Sequence, residues 1–150
     1  MSIDYFGGQS GTPMELGRLV NVDEDLQRLE LAPGIVARAL VGSNLLVSFV
    51  RWEPHALAPL HAHAEEQVFV VLEGQLEMTL GTEVRLMGPG EAALIPAWVE
   101  HSVRSLDAPA YQIDVFDPPR QAFLDLLALV AAEPAENPSH RSSAATGSGA

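Results

Sequence analysis

The chain has 150 residues and no cysteine, so we expect one domain of ordinary size, without disulfides or thiolate metal ligands. Hydrophobic residues make up 47% of the chain, which excludes a protein that is disordered throughout. The formal net charge of -12, with only eight scattered Lys and Arg residues, excludes a nucleic-acid partner, because phosphate binding needs clustered basic residues. An anionic ligand is compatible with this charge only where a single arginine is placed to bind it.

The two ends of the chain differ in composition from its centre. Residues 1–17 are rich in glycine and polar residues and are expected to form an N-terminal arm, while residues 133–150 are rich in Pro, Ser, Ala and Gly and are expected to be disordered. The domain itself is expected over residues 18–132. The N-terminus lacks the pattern of a signal peptide, and no apolar segment reaches the roughly 18 residues of a membrane span. We therefore expect a cytoplasmic protein with no membrane partner.

The central region alternates short strands with turns. The turn residues are Gly42-Ser43-Asn44, Glu73-Gly74, Gly81-Thr82 and Gly88-Pro89-Gly90. The predicted strands between them are 35–41, 45–52, 67–72, 75–80, 83–87, 92–95, 101–104 and 111–116. Short strands at this spacing predict an all-β sandwich or jelly roll. One helix is expected to follow, with Asp117 as its cap and Pro118 in its first position, and to cover one end or face of the barrel.

The segment "APLHAHAEEQVFVVLEG", residues 58–74, places two histidines two positions apart. Side chains at such positions of a strand point to the same face, so His61 and His63 are expected to face the same way. A third imidazole, from His101 after the turn in "IPAWVEHSV", can complete a metal site that two cannot hold firmly. The sequence therefore predicts a metal centre built on histidine.

The wider pattern of His-x-His, a polar residue, a glycine and a later Pro-x-x-x-x-His resembles both halves of the cupin signature. This resemblance implies a jelly-roll β-barrel that holds one divalent metal ion, which can be Zn, Ni, Fe, Mn or Co. Most cupins carry Glu where this chain has Gln67, Ser105 stands where their second motif ends in Asn, and Trp98 replaces a frequent glycine. Glu65 is the alternative to Gln67 as the fourth ligand: it has the right strand parity but lies in a predicted turn, whereas Glu66 has the wrong parity.

A glutamine ligand has a chemical consequence. The amide oxygen is neutral, so three imidazoles and one glutamine leave the full dipositive charge on the ion. This set favours Lewis-acid chemistry over oxygen activation. We therefore interpret the pattern as an isomerase, lyase or hydration centre in preference to an oxygenase.

A second cluster lies in "YQIDVFDPPRQAF". Strand alternation puts Gln112, Asp114 and Phe116 on one face, and a carboxylate in a strand destabilises the fold unless it is paired or functional. From Gly34 to Leu124 the chain resembles the KdgF-type cupins, the pectin-degradation family that opens the ring of unsaturated uronates. The resemblance implies metal ligands at His61, His63, Gln67 and His101. It implies active-site residues at Asp114, Phe116 and Arg120.

The same resemblance implies a small anionic substrate such as a sugar acid, and analogy with small cupins implies a homodimer. Arg120 suits the substrate carboxylate, although pairing with Asp117 or Asp125 at the helix start is an alternative role. The expected function is a metal-dependent isomerase or tautomerase. The alternatives are a metal-dependent cyclase or dioxygenase of secondary metabolism and a non-catalytic ligand-binding cupin. Trp52 is expected in the core.

Overall fold

The computed structural model describes residues 2–8 and 11–134. The described residues form ten strands and two helices. The elements in chain order are α1 (Val22–Asp25), β1 (Arg28–Ala32), β2 (Ile35–Val41), β3 (Leu46–Trp52), β4 (Leu57–His61), β5 (Glu66–Glu73), β6 (Leu76–Leu80), β7 (Glu83–Met87), β8 (Ala92–Ile95), β9 (His101–Ser105), β10 (Ala110–Asp117) and α2 (Gln121–Ala132). The predicted all-β class with a C-terminal helix is confirmed.

The strands form two antiparallel sheets that pack face to face as a jelly-roll barrel. One sheet has six strands in the order β1-β2-β3-β10-β5-β8, and the other has four in the order β4-β9-β6-β7. Strands that are distant in the chain are neighbours, since β10 lies between β3 and β5. This order brings the predicted second cluster on β10 next to Gln67 on β5, which pairs with Phe116.

The core forms on the inward faces of both sheets. Burial alternates along β3 and β10 as period-two side-chain placement requires. It puts Gln112, Asp114 and Phe116, which were predicted to share one face, inside the barrel. Phe69 and Leu46 are among the largest fully buried side chains, each contributing about 1.5–3 kcal/mol through burial. Most of these inward positions are apolar, so the few buried polar side chains among them are exceptions to the core pattern.

Gly74 explains why the turn after β5 needs glycine. Its φ of +75° lies in the left-handed region, and a Cβ built there would lie 2.4 Å from the carbonyl oxygen of Pro109. A side chain would therefore collide with backbone that cannot move without shifting the neighbouring strand β10. The predicted turn at this position is confirmed, and its glycine is required by the close approach of β5 to β10.

The predicted start of the C-terminal helix is wrong. Asp117 remains in the β10 ladder, opposite Glu66, so it cannot cap a helix, and α2 begins only at Gln121 with Arg120 as its N-cap residue. Strand β1 and the short helix α1 were not predicted. Within 2–8 and 11–20 the chain has no regular helix or strand. The predicted tail from residue 135 onward lies outside the described residues, and none of the described helices has the length and apolar character needed to cross a membrane.

Candidate active site

The candidate site lies at one end of the barrel, where both sheets contribute residues. His61 ends β4 and pairs with His101, which begins β9, so the four-stranded sheet brings these two imidazoles together. On the other sheet, Gln67 on β5 pairs with Phe116 on β10. His63 follows β4 in the connection to β5. The site is thus assembled from residues near strand ends that lie far apart in the chain, from His61 to Phe116.

The three histidines form a group that is able to hold a metal ion. One ring nitrogen from each of His61, His63 and His101 lies within 4.8 Å of those of the other two. The ring centroids of His61 and His101 are 4.2 Å apart, and those of His63 and His101 are 5.0 Å apart. His101 is 2% exposed and His63 is 7% exposed, so the imidazoles converge in a region largely closed to solvent.

Hydrogen bonds orient all three rings in the same way. The Nδ1 atoms of His61 and His101 lie 2.7 and 2.8 Å from the carbonyl oxygens of Pro59 and Val99, and Nδ1 of His63 lies 2.9 Å from that of Glu65. A carbonyl oxygen can only accept, so each Nδ1 carries the hydrogen and each neutral ring keeps its lone pair on Nε2. Backbone bonds of this kind fix histidine tautomers in metal sites.

Gln67 presents its amide oxygen to the histidine group. Its Nε2 donates to Oδ1 of Asp114 at 2.7 Å, which orients the amide, and its Oε1 lies 3.0 Å from Nε2 of His63. Both of these facing atoms are lone-pair donors. Metal–nitrogen bonds of about 2.0–2.1 Å place neighbouring ligand atoms about 3.0–3.4 Å apart, so the contact fits two atoms that share a cation.

The buried atoms of the cluster also fit a cation. Nε2 of His101 is buried and has no hydrogen-bond partner among the described residues. A buried polar atom without a partner is unfavourable by about 1–3 kcal/mol, and a divalent ion would relieve that energy. The donor set of three imidazoles and one amide oxygen therefore fits a divalent transition-metal ion.

Burial shifts the acid–base properties of the site. Burial lowers the pKa of His101 to about 4, and burial followed by the charge of Arg120 lowers the pKa of His63. Burial also raises the pKa of Asp114 to about 6, against the opposing hydrogen bonds from Gln67 and Gln112. At neutral pH His63 and His101 are therefore neutral and able to act as ligands, while Asp114 has a pKa suited to proton transfer.

Glu65 joins the site to helix α2. Its Oε1 accepts from the backbone N–H of Gln121 at 2.8 Å, and its Oε2 lies 3.5 Å from Nη1 of Arg120. Although burial pushes the pKa of Glu65 upward, the hydrogen bond from Gln121 and the charge of Arg120 bring it below the ordinary value. The carboxylate thus satisfies a helix N–H that would otherwise lack a partner, and it pairs with Arg120 in place of the predicted Asp117 or Asp125.

Replacing Glu65 with glutamine is expected to destabilise the protein by about 1–3 kcal/mol, because Arg120 loses its charged partner and the helix start loses an anionic acceptor. Denaturant unfolding of the purified variant measures this change. Glu66→Gln is the matched control: Glu66 is the next residue and is exposed, so its substitution should change the free energy of unfolding by less than about 0.5 kcal/mol. Equal effects of both substitutions would contradict the anchoring role of Glu65.

A cavity of about 260 Å³ adjoins the histidine group. His61, Gln67 and His101 line it, together with Asp114, Phe116 and Arg120. Most of the remaining wall is apolar and is formed by residues such as Ile35, Val50, Phe69, Val103 and Phe123. A concave, mostly apolar cavity with a few converging polar groups is the usual form of a small-molecule site.

The structure brings together the residues that the sequence analysis singled out. The three histidines and Gln67 meet at the barrel end, and Asp114, Phe116 and Arg120 line the same cavity. Sequence reasoning missed the anchoring contacts of Glu65, for which the only signal was a carboxylate at an inward position before β5. It also missed that Trp52 and Gln112 line the cavity.

Comparison with known proteins connects this geometry to a family. Residues 48–116 match the family described as Cupin domain. The chain is similar to the pectin degradation protein KdgF of Dickeya dadantii (strain 3937), with 29% identity over 105 residues that cover 69% of this chain and 96% of that protein. Among solved structures, KdgF from Halomonas sp. aligns with a TM-score of 0.65 and 26% identity, covering 73% of this chain and 99% of that one.

A second relative is the dimethylsulfoniopropionate lyase DddQ of Ruegeria pomeroyi (strain ATCC 700808 / DSM 15171 / DSS-3). It is 32% identical over 69 residues, which cover 45% of this chain and 34% of DddQ. This chain therefore spans only about a third of the length of that protein. One of these relatives is named for pectin degradation and the other for lyase activity.

Proposed function

We propose that this chain, whose residues 48–116 match the Cupin domain family, is a metal-dependent isomerase or tautomerase that opens the ring of unsaturated uronate sugars. The observation that carries the proposal is the position of Gln67. Its amide nitrogen donates to Asp114, and its amide oxygen faces the histidine group. One residue therefore connects the candidate metal ligands to a buried acid.

We assign the metal ligands as His61, His63, Gln67 and His101. Glu65 is the weaker candidate, because its carboxylate already contacts Gln121 and Arg120. When bound, the divalent ion supplies a positive charge that polarises an oxygen of the substrate. This ligand set adds no negative charge, which supports isomerase chemistry in preference to oxygen activation.

The protein side chains supply binding and proton transfer. Arg120 is the cation of the cavity wall, and its planar guanidinium suits the carboxylate of a sugar acid. Its guanidinium carbon lies 5.7 Å from the ring centre of Phe116, which forms the adjoining wall. Asp114 takes the proton from the anomeric hydroxyl as the bond between the anomeric carbon and the ring oxygen breaks, and it returns a proton to the alkene carbon of the enolate that this cleavage releases. One carboxyl group suffices, since ring opening to the keto form is an isomerisation without net gain or loss of protons.

The test is turnover of unsaturated galacturonate by the purified protein loaded with one divalent metal at a time. We expect the ultraviolet absorbance of the conjugated enol ether to disappear faster with the loaded protein than in buffer with the same metal. Chelator treatment should abolish the acceleration. Absence of acceleration with every metal would remove this proposal, and oxygen uptake with iron alone would favour the dioxygenase alternative. The homodimer and the cytoplasmic location stay predictions.

A further inference from the structure

Two further polar residues on the cavity wall have atoms that find no hydrogen-bond partner in the described part of the chain. Trp52 is 4% exposed and Gln112 is 2% exposed, and both line the cavity. Nε1 of Trp52 and Oε1 of Gln112 are buried, and neither has a partner among the described residues. Buried polar atoms are normally paired, so two such atoms on one cavity wall require an explanation.

The sheet register places these two residues close together. In the pairing of β3 with β10, Gln112 lies opposite Val50, and Trp52 lies opposite Ala110. Trp52 and Gln112 are therefore diagonal neighbours on the inner face of the six-stranded sheet, a separation that long side chains can bridge. Gln112 is two residues before Asp114 on β10, so the Trp52–Gln112 pair lies about 7 Å further along the strand, away from Phe116.

The chemistry of the pair is complementary. Nε2 of Gln112 is 3.3 Å from Oδ2 of Asp114 and donates to it, which orients the amide and leaves Oε1 as an acceptor. The indole N–H of Trp52 is only a donor. A hydroxyl group both donates and accepts, so a hydroxylated ligand can satisfy the two atoms at once. A hydrocarbon surface in the same place would leave both of them unsatisfied.

We propose that Trp52 and Gln112 form a hydroxyl-recognition subsite, in which the indole N–H donates to, and the Gln112 amide oxygen accepts from, hydroxyl groups of a polyhydroxylated ring acid. The proposal rests on the proposed function, because it assigns the substrate class of the same cavity. The subsite selects between ring acids by their hydroxyl groups, while the surrounding apolar wall accepts any ring of similar shape. A site built to bind hydroxyl groups discriminates strongly against analogues that lack them.

Trp52 itself can report on binding. The chain has two tryptophans, and the other, Trp98, is 69% exposed. In the metal-loaded Trp98→Phe variant the fluorescence therefore comes from Trp52 alone. The variant is titrated with galacturonate and, separately, with cyclohexanecarboxylate, a six-membered ring acid without hydroxyl groups. We expect galacturonate to change the emission of Trp52 and to bind at least about 10-fold more tightly than cyclohexanecarboxylate.

Two substitutions then test the pair. Gln112→Met, which keeps side-chain length and removes the acceptor, should weaken galacturonate binding about 5- to 20-fold and change cyclohexanecarboxylate binding less than about 2-fold. Trp52→Phe keeps an aromatic ring and should give the same selective loss, measured by calorimetry. Trp98→Phe alone is the matched control and should leave galacturonate affinity unchanged. Thermal unfolding confirms that each variant is folded.

Three results would overturn the subsite: equal affinity for the two acids, equal loss of both acids in the variants, or no binding of galacturonate. The first two would mean that ordered water satisfies the pair. Because these measurements record binding, they are independent of turnover. Selective binding without ring opening would remove the proposed function and keep the subsite. Ring opening without discrimination between the two acids would keep the proposed function and remove the subsite.

Discussion

Replacing His101 with alanine is expected to abolish binding of the divalent metal. The purified wild-type protein should carry about one divalent ion per chain, and the variant should carry less than about a tenth of that, because loss of one imidazole weakens a four-ligand site by more than about 100-fold. At a free metal concentration of about 100 times Kd, binding stabilises the folded state by about 2.7 kcal/mol. For a chain of this length, the wild-type Tm should therefore fall by about 5–10 °C on chelation, and that of the variant should not change.

Elemental analysis and thermal unfolding with and without chelator measure the two effects. His55→Ala is the matched control, because His55 pairs with the exposed Asp107 and lies outside the histidine group. It should keep the full metal content and the full chelator-dependent shift in Tm. Unchanged metal content in His101→Ala would place the metal elsewhere and contradict the assigned ligand set.

Replacing Asp114 with asparagine is expected to abolish activity and to stabilise the metal-free protein at neutral pH. The loss of proton transfer should lower kcat by about 10²–10⁴-fold. The stability gain follows from burial: Asp114 is 6% exposed, and its carboxylate is charged at pH 7.5 although burial raises its pKa to about 6. Removing this buried charge should raise the free energy of unfolding by up to about 3 kcal/mol. The net gain is smaller, because asparagine forms a poorer hydrogen bond with Gln112.

The pH dependence of this gain has a definite sign. The folded pKa of Asp114 lies above the ordinary value of 3.8, so its contribution to stability is fully present below about pH 4 and is lost as the pH rises through about 6. The difference in free energy of unfolding between variant and wild type should therefore increase from pH 4 to pH 7. The histidines with lowered pKa values have the opposite dependence, but they are present in both proteins and cancel in the difference.

Asparagine can still accept from Nε2 of Gln67, so the Asp114→Asn variant should retain its metal. Asp117→Asn is the matched control, since Asp117 lies on the same strand but is exposed. It should change neither activity nor the pH dependence of stability. Turnover of substrate by the Asp114→Asn protein would contradict the proton-transfer role of Asp114. Lower stability than the wild type at every pH from 4 to 7.5 would show that Asp114 has a structural role.

The parts of the site that were predictable depend on short-range patterns. His61 and His63 are two residues apart, and strand alternation predicted a common direction for them. Strand β4 ends at His61, so the connection after it, and not the strand itself, brings His63 to the same site. The alternation around Asp114 predicted that it shares a face with Phe116, and the structure shows that this face points into the barrel. The glycine turns predicted most strand ends, because glycine reaches backbone conformations that other residues avoid. The predicted helix start was wrong because it relied on a local signal alone. Asp117 has the local features of a cap, but its pairing with Glu66 keeps it in the sheet.

By itself, the sequence determined the β class, the shared face of Gln112, Asp114 and Phe116 and the position of most turns, since these depend on side-chain alternation and on residues adjacent in the chain. Only the tertiary structure decided that β10 lies between β3 and β5 and that Glu65 binds the start of α2. It also decided that Trp52 and Gln112 are diagonal neighbours whose buried polar atoms find no partner within residues 2–8 and 11–134. These features depend on strand order and register, which arise from contacts between residues far apart in the chain, and no local pattern specifies them.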